Sequence, residues 1–400
     1  MLRTDYARAE PLLDDYLRRT GVRGGAGDPA RRYLWTDAFA VVTLLALARA
    51  REARAPVDDA VRLAALVHRT LGRHRKDDLR IGWISGLGEA EGELRPTAGG
   101  LRIGKPLRER AANEPFDEFL EWERDGQYFH YLTRWMDALS ALGEATGDRA
   151  WNRHAVELAR AACAAFIHSP RVGAAPRMYW KMSIDLSRPL VKSMGLLDPL
   201  DGFAAVARVR ATERRFGGEA GVLSVELERL HAMLGEPSAW ATTDALGIGG
   251  LLHVASEQVE LVSSGDLPFD ARLHALLAAT HRSLDFFAAS ELCSRPLPMR
   301  LAFRELGLSL GVQAIEPMLE CVKREPNRFG EAGDVEALSA RLDAMSKYAL
   351  LAEHIEETWR ASAAQESRGW TEHLDINEVM LSASLAGALR ATPAPSSGRP

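Results

Sequence analysis

The sequence predicts an all-α fold, and within that class an (α/α)6 toroid of six helical hairpins with the long loops on one face. Three observations predict it. First, a loop carrying an acid or a His, followed by an Ala/Leu-rich helix, recurs six times. The junctions are Tyr33 to Phe39, Asp125 to His130, Asp198 to Gly202, Thr242 to Gly247, Phe303 to Gly307 and His373 to Glu378. Self-similarity at long period is the mark of helical repeat architectures. Second, short turns such as Gly147-Asp148 and Gly235-Glu236-Pro237 alternate with long connections, which is too uneven for a tetratricopeptide or HEAT array. Third, no segment is rich in strand-forming residues.

Taken in order, residues 5–20 read as an N-terminal helix ended by Gly21 and the turn from Gly24 to Pro29. The first hairpin pairs 36–51 with 57–72; Asp37 suits a helix cap and Pro56 suits a helix start. The stretch from Arg73 to Asp125 is polar and Gly-rich, and a loop of this length is usually functional or disordered. Ile81, Trp83, Ile84 and Trp122 point to an ordered excursion. The second hairpin runs from Phe129 to Leu142 and from Trp151 to Ile167, with Ala155, Leu158, Ala159, Ala162 and Phe166 on one stripe. A second long loop, 168–201, carries the run from Arg177 to Leu190. The third hairpin covers 202–216 and 223–234, the fourth 245–263 and 269–290, and the fifth 301–323 and 333–362. The sixth has one clear helix, 376–390, for which the N-terminal helix is the expected partner. One domain therefore spans 1–390, and the Pro- and Ser-rich residues 391–400 read as a disordered tail.

Composition narrows the function. A chain of 400 residues, 46% hydrophobic, can bury a sizeable core. A net charge of −5 provides no field to recruit nucleic acid. Cys163, Cys293 and Cys321 form no CxxC pair, against a disulfide framework or structural zinc. GxGxxG, GxxxxGK[ST] and GxSxG are missing. His373, Asp375 and Glu378 make at most a fragment of a metal site. The N-terminus lacks a signal-peptide core, and the longest apolar stretch, 38–48, is too short to span a bilayer. The expectation is a cytoplasmic protein with no metal, no cofactor, no nucleic-acid partner and no membrane partner.

The block from Gln127 to Leu139, followed by Thr146-Gly147-Asp148, together with the Asp198 to Gly202 junction, resembles the six-hairpin, (α/α)6-barrel glycosidases and the related sugar epimerases. The resemblance covers most of the chain and is architectural. It implies a carbohydrate-active enzyme, of glycoside-hydrolase type, with a small carbohydrate ligand. Glycoside hydrolysis needs two carboxyl groups flanking one bond, one acidic and one ionised. The catalytic candidates are Asp125, Asp201 and Asp375; Asp37, Asp244, Glu305 and Glu378 are further acids at junctions, the first three of them expected substrate contacts, although an Asp there is commonly just a helix cap. Asp201, at a helix start, suits the base or nucleophile. Asp125, beside Trp122, Tyr128 and Phe129, has the apolar sequence neighbours of an acid. Sugars need aromatic platforms beside polar groups. Gln127, Tyr128, His130, Tyr179, Trp180, Lys181, Asp185, Arg188, Trp240 and His373 are the expected contacts. The epimerase side of the resemblance implies an alternative, proton exchange between His253 and His373. A non-catalytic sugar-binding barrel is a third reading.

Overall fold

The computed structural model describes residues 4–389 apart from Val172 and Ala220, and of Glu291 the backbone alone. It is mostly helical, as the sequence predicts. The expected tail, 391–400, lies outside the described residues. The chain divides into two compact units, Glu10–Ala239 and Met1–Ala9 with Trp240–Pro400.

The first unit holds most of α1 (Tyr6–Arg19), then α2 (Leu34–Arg51), α3 (Ala55–Leu71), and two short helices, α4 (Glu89–Leu94) and α5 (Glu118–Glu123). Strand β1 (Gln127–Tyr128) leads into α6 (Phe129–Thr146), and α7 (Arg149–Phe166) returns. Four further short strands follow: β2 (Ile167–His168), β3 (Arg177–Met178), β4 (Lys181–Met182) and β5 (Pro189–Val191). Helices α8 (Asp198–Arg215) and α9 (Ser224–His231) complete the unit. Helix α2 packs on α3 and α6, and α6 on α7 and α8. The sequences fit these positions. Helix α2 is apolar almost all round and is buried along most of its length. Helix α7 buries the single stripe Ala155, Leu158, Ala159, Ala162 and Phe166. Between α6 and α7, Gly147 takes the left-handed conformation, and Asp148 caps α7 by accepting from the Ala150 amide at 2.9 Å.

The 73–125 excursion is ordered; of the four apolar residues singled out in it, Trp83 and Ile84 are buried, as are Leu101 and Ile103 further along. Ile81 is 90% exposed and Trp122 44% exposed. The strands are a departure from the sequence reading. β1 pairs antiparallel with β4 (Gln127 opposite Met182, Tyr128 opposite Lys181), β4 pairs with β5, and β2 with β3. Runs of two or three residues show no alternation long enough to read.

The second unit contains α10 (Ala245–Ser263), α11 (Arg272–Ala289), α12 (Ala302–Val312), α13 (Ile315–Arg324), α14 (Ala332–Met345) and α15 (Ala349–Arg360). After two short turns of helix, α16 (Ser362–Gln365) and α17 (Arg368–Thr371), it ends on α18 (Leu374–Ala386). The fifth hairpin is therefore not two long helices: each is broken, at Gln313-Ala314 and at the 3-10 turn Ser346–Tyr348. Helix α10 meets α12 at a glycine contact, where a Cβ on Gly249 would lie 2.2 Å from the Gly307 carbonyl oxygen. The chain start packs on α18, as expected for the sixth hairpin: the Asp5 amide donates to the Leu385 carbonyl at 2.8 Å, and Ser382 Oγ to the Ala9 carbonyl at 2.8 Å. Among the described residues no helix is long and apolar enough to cross a membrane.

Candidate functional site

Helix periodicity places His130, Thr133, Arg134 and Asp137 on one face of α6, because residues three and four apart are neighbours on a helix. Helix α8, packed against α6, begins at Asp198 with Pro199 in its first turn. Asp198 and Asp201, three apart, share a face of that turn. Arg134 donates from Nη2 to Asp201 Oδ1, and its Nη1 lies 3.2 Å from Asp137 Oδ2. Thr133 Oγ1 donates to the His130 carbonyl at 2.9 Å and shares that proton at longer range, 3.4 Å, with Asp201 Oδ2. Asp198 differs. Its Oδ1 lies 3.6 Å from His130 Nδ1, beyond hydrogen-bond range, and its buried Oδ2 has no hydrogen-bond partner among the described residues. A Cβ on Gly195 would lie 2.5 Å from that Oδ2, so the carboxyl is packed against bare backbone.

Ionisation follows from these surroundings. Burial, then the neighbouring Asp201 charge, raises Asp198 to about 7, against the opposing backbone hydrogen bond from Gly195. Burial, then the Arg134 charge, lowers His130 to about 3. At neutral pH the cluster thus offers a carboxyl that is partly protonated, a neutral imidazole, and a second carboxylate bound by a guanidinium.

Rings cover the same place. His130 stacks on Tyr128 with centroids 5.3 Å apart and lies parallel to Trp180 at 6.4 Å. Trp35 meets His130 at 6.2 Å and Tyr131 at 5.2 Å. Trp122 meets Trp180 edge-on at 4.8 Å. The β1–β4 pairing explains this: opposing Tyr128 to Lys181 sets Trp180, one residue earlier, beside the start of α6. Trp35, His130, Tyr131 and Trp180 are each half-buried, which leaves part of the cluster open.

Compared with known proteins, the sequence matches no family model and no curated protein.

Of the residues singled out from sequence, Asp201, Tyr128, His130 and Trp180 come together in this cluster. Others in the same unit have polar atoms already engaged by the protein. Asp125 is fully buried; its oxygens accept from Arg102 at 2.9 Å, Arg75 at 3.3 Å, and the amides of Gly104, Lys105 and Gly126. Its immediate partners are cations and amides, not the apolar neighbours its sequence context suggests. Lys181 directs its ammonium to the Glu121 carboxylate at 2.9 Å and to the Glu121 and Arg124 carbonyls. Gln127 bridges the Gly99 and Ile184 carbonyls and accepts from the Leu101 amide. Asp185 binds Arg80, Ser183 and Ser187; burial opposes its charge, but the Ser187 and Ser183 hydroxyls and then Arg80 hold it down to about 2. Arg188 donates to the Arg110 carbonyl. Asp37, buried, accepts from Tyr16 and the Tyr33 amide and pairs with Arg32. Tyr179 stacks on His168 at 3.8 Å.

The remaining candidates belong to the second unit. Asp244 caps α10 by accepting from the Gly247 amide at 2.8 Å and pairs with Arg304. Glu305 takes a bidentate pair from Arg300 and the Trp359 indole N–H at 2.8 Å. Trp240 is buried. Asp375 sits half-buried in the first turn of α18 and His373 is exposed at its start, 5.8 Å from Phe303. His253 is buried in α10 with Nε2 3.8 Å from Glu257.

Sequence reading missed Asp198 and Arg134 as site residues. The signal for Asp198 was Pro199. Proline is favoured in the first helical turn, so the helix starts before it and Asp198 joins Asp201 on one face.

Proposed function

We propose that this protein is a carbohydrate-active enzyme of glycoside-hydrolase type, with Asp198 as proton donor and Asp201 as base or nucleophile. The observation that carries the reading is the unlike pair on one helical turn. Among the described residues no donor reaches the buried Oδ2 of Asp198, and burial beside Asp201 raises that carboxyl to about 7; Asp201 is held by Arg134, with the Thr133 hydroxyl nearby. Carboxyl pairs pushed apart in this way are the acid and base assignments of glycoside hydrolysis. Asp198 gives its proton to the leaving glycosidic oxygen. Asp201 either attacks the sugar carbon or takes a proton from the attacking water. His130, lowered to about 3, stays neutral and serves as a flat hydrogen-bonding surface rather than as the acid. Trp35, Tyr131 and Trp180 supply ring faces for the C–H side of a sugar.

The architecture proposed with this function is the six-hairpin (α/α)6 toroid to which the sequence bears resemblance. Its support is the side-by-side succession of first helices, α2 to α6 to α8 in one unit and α10 to α12 to α18 in the other. A crystal structure of the whole chain tests it, and an open superhelix refutes it.

The activity test is a panel of aryl glycosides and reducing sugars assayed with the wild type, Asp198→Asn and Asp201→Asn. Turnover abolished by both substitutions supports the reading. Turnover that survives both refutes it, and sugar binding with no turnover on any member identifies a non-catalytic binding protein.

A further inference from the structure

We propose that Arg134 is a positioning residue: held between Asp137 and Asp201, it fixes the single proton of the Asp198/Asp201 pair on Asp198. The inference deepens, and rests on, the assignment of that pair as the reactive centre. Two carboxyl groups on one helical turn in a partly buried site do not both ionise freely, because the charges repel. Something must decide which one keeps the proton, and the two sites differ in one respect that is large enough. Asp201 receives a guanidinium hydrogen bond and a hydroxyl. Among the described residues Asp198 receives neither: its Oδ2 is buried without a partner, and its Oδ1 faces a neutral imidazole nitrogen at 3.6 Å. A charge-assisted bond favours the anion that accepts it, so the negative charge settles on Asp201. The charged and titratable groups facing the pair from α6 are His130, Arg134 and Asp137, and within α8 each member of the pair faces the other. Arg134 is the cation among them. Asp137 binds the other edge of the guanidinium at 3.2 Å and aims it, since a planar fork engages two carboxylates in fixed directions.

The step assigned to Arg134 involves no contact with substrate. It acts through Asp201, and its removal is expected to let the proton pass between the two aspartates. The test is carbon-13 NMR of the full-length protein labelled at aspartate carboxyl carbons, titrated from pH 4 to 9, with the two signals assigned by Asp198→Asn and Asp201→Asn. In the wild type the Asp198 carbon is expected to titrate near neutrality while the Asp201 carbon stays flat there. In Arg134→Met both carbons are expected to move together through the neutral step, and Arg134→Lys, which keeps the charge, should restore a flat Asp201. Arg134→Gln, uncharged but able to donate a hydrogen bond, is read in the same way if the Met variant does not fold. An Asp201 signal that stays flat in the uncharged variants, with the whole neutral step on Asp198, overturns the proposal. The experiment needs no sugar. A shared proton in a protein that turns over no glycoside would keep this inference and defeat the hydrolase reading.

Discussion

Replacing Asp198 by Asn should stabilise the protein, and more so as pH rises. The ordinary carboxyl value is 3.8 and burial beside Asp201 raises Asp198 to about 7. Between those values the native state holds a proton that the unfolded chain has released. Native stability therefore falls as pH rises from about 4 to about 7, and is level above that once both states are ionised. At 1.36 kcal/mol per pH unit the total is about 4 kcal/mol. This is an upper bound, because water reaching the site in the native state screens the charge. His130 acts in the opposite sense. Lowered to about 3, it is neutral in the native state while the unfolded His still binds a proton, so its contribution rises with pH up to about 6.5. The two trends partly cancel in the wild type, and only the difference between wild type and variant isolates Asp198. The assay is urea unfolding of both proteins at half-unit steps from pH 4 to 8.5. The stability difference should grow in favour of Asp198→Asn through pH 7 and then level off. A difference independent of pH would refute the claim that Asp198 is buried and hard to ionise.

Three further outcomes follow from the same contacts. Asp125→Asn leaves Arg75 and Arg102 facing a neutral group in a buried setting and should cost about 3–5 kcal/mol in chemical denaturation, the range for breaking a buried ion pair. Gly100→Ala should destabilise by more than about 1 kcal/mol, because Gly100 has φ +77 and a Cβ there would sit 2.0 Å from Gln127 Oε1; a melting temperature equal to wild type would contradict the Gln127 bridge. Trp180→Ala should weaken sugar binding by about 1–3 kcal/mol, measured by calorimetry, with the fold largely intact; a large loss of melting temperature with unchanged affinity would make Trp180 a packing residue.

Much of the helical layout was legible because punctuation residues mark it. Gly147-Asp148 separates α6 from α7, and the fourth hairpin was read almost to its ends. The breaks in the fifth hairpin were harder. Pro317 in the first turn of α13 was a usable signal, whereas the 3-10 turn at Ser346–Tyr348 has no Gly or Pro to announce it. Asp201, Tyr128 and His130 were legible as candidates because they stand at junctions, and Trp180 because it lies in an aromatic and polar run of a long loop. The partners that distinguish Asp125 from Asp201 were not. Arg75 and Arg102 precede Asp125 by 50 and 23 positions, and no local pattern says that they converge on it. Lys181 has the same history: a lysine beside two aromatics reads as a ligand contact until Glu121, 60 positions away, is found beneath it.

The most direct test of the acid–base assignment is the pH dependence of kcat/KM on an aryl glycoside turned over by the wild type. Positioned acid catalysis contributes roughly 10²–10⁴-fold. The assignment predicts a fall in kcat/KM as pH passes about 7, where Asp198 loses its proton, and a loss of that order in Asp198→Asn. A rate that stays level through pH 8, or an Asp198→Asn protein as active as the wild type, would contradict it.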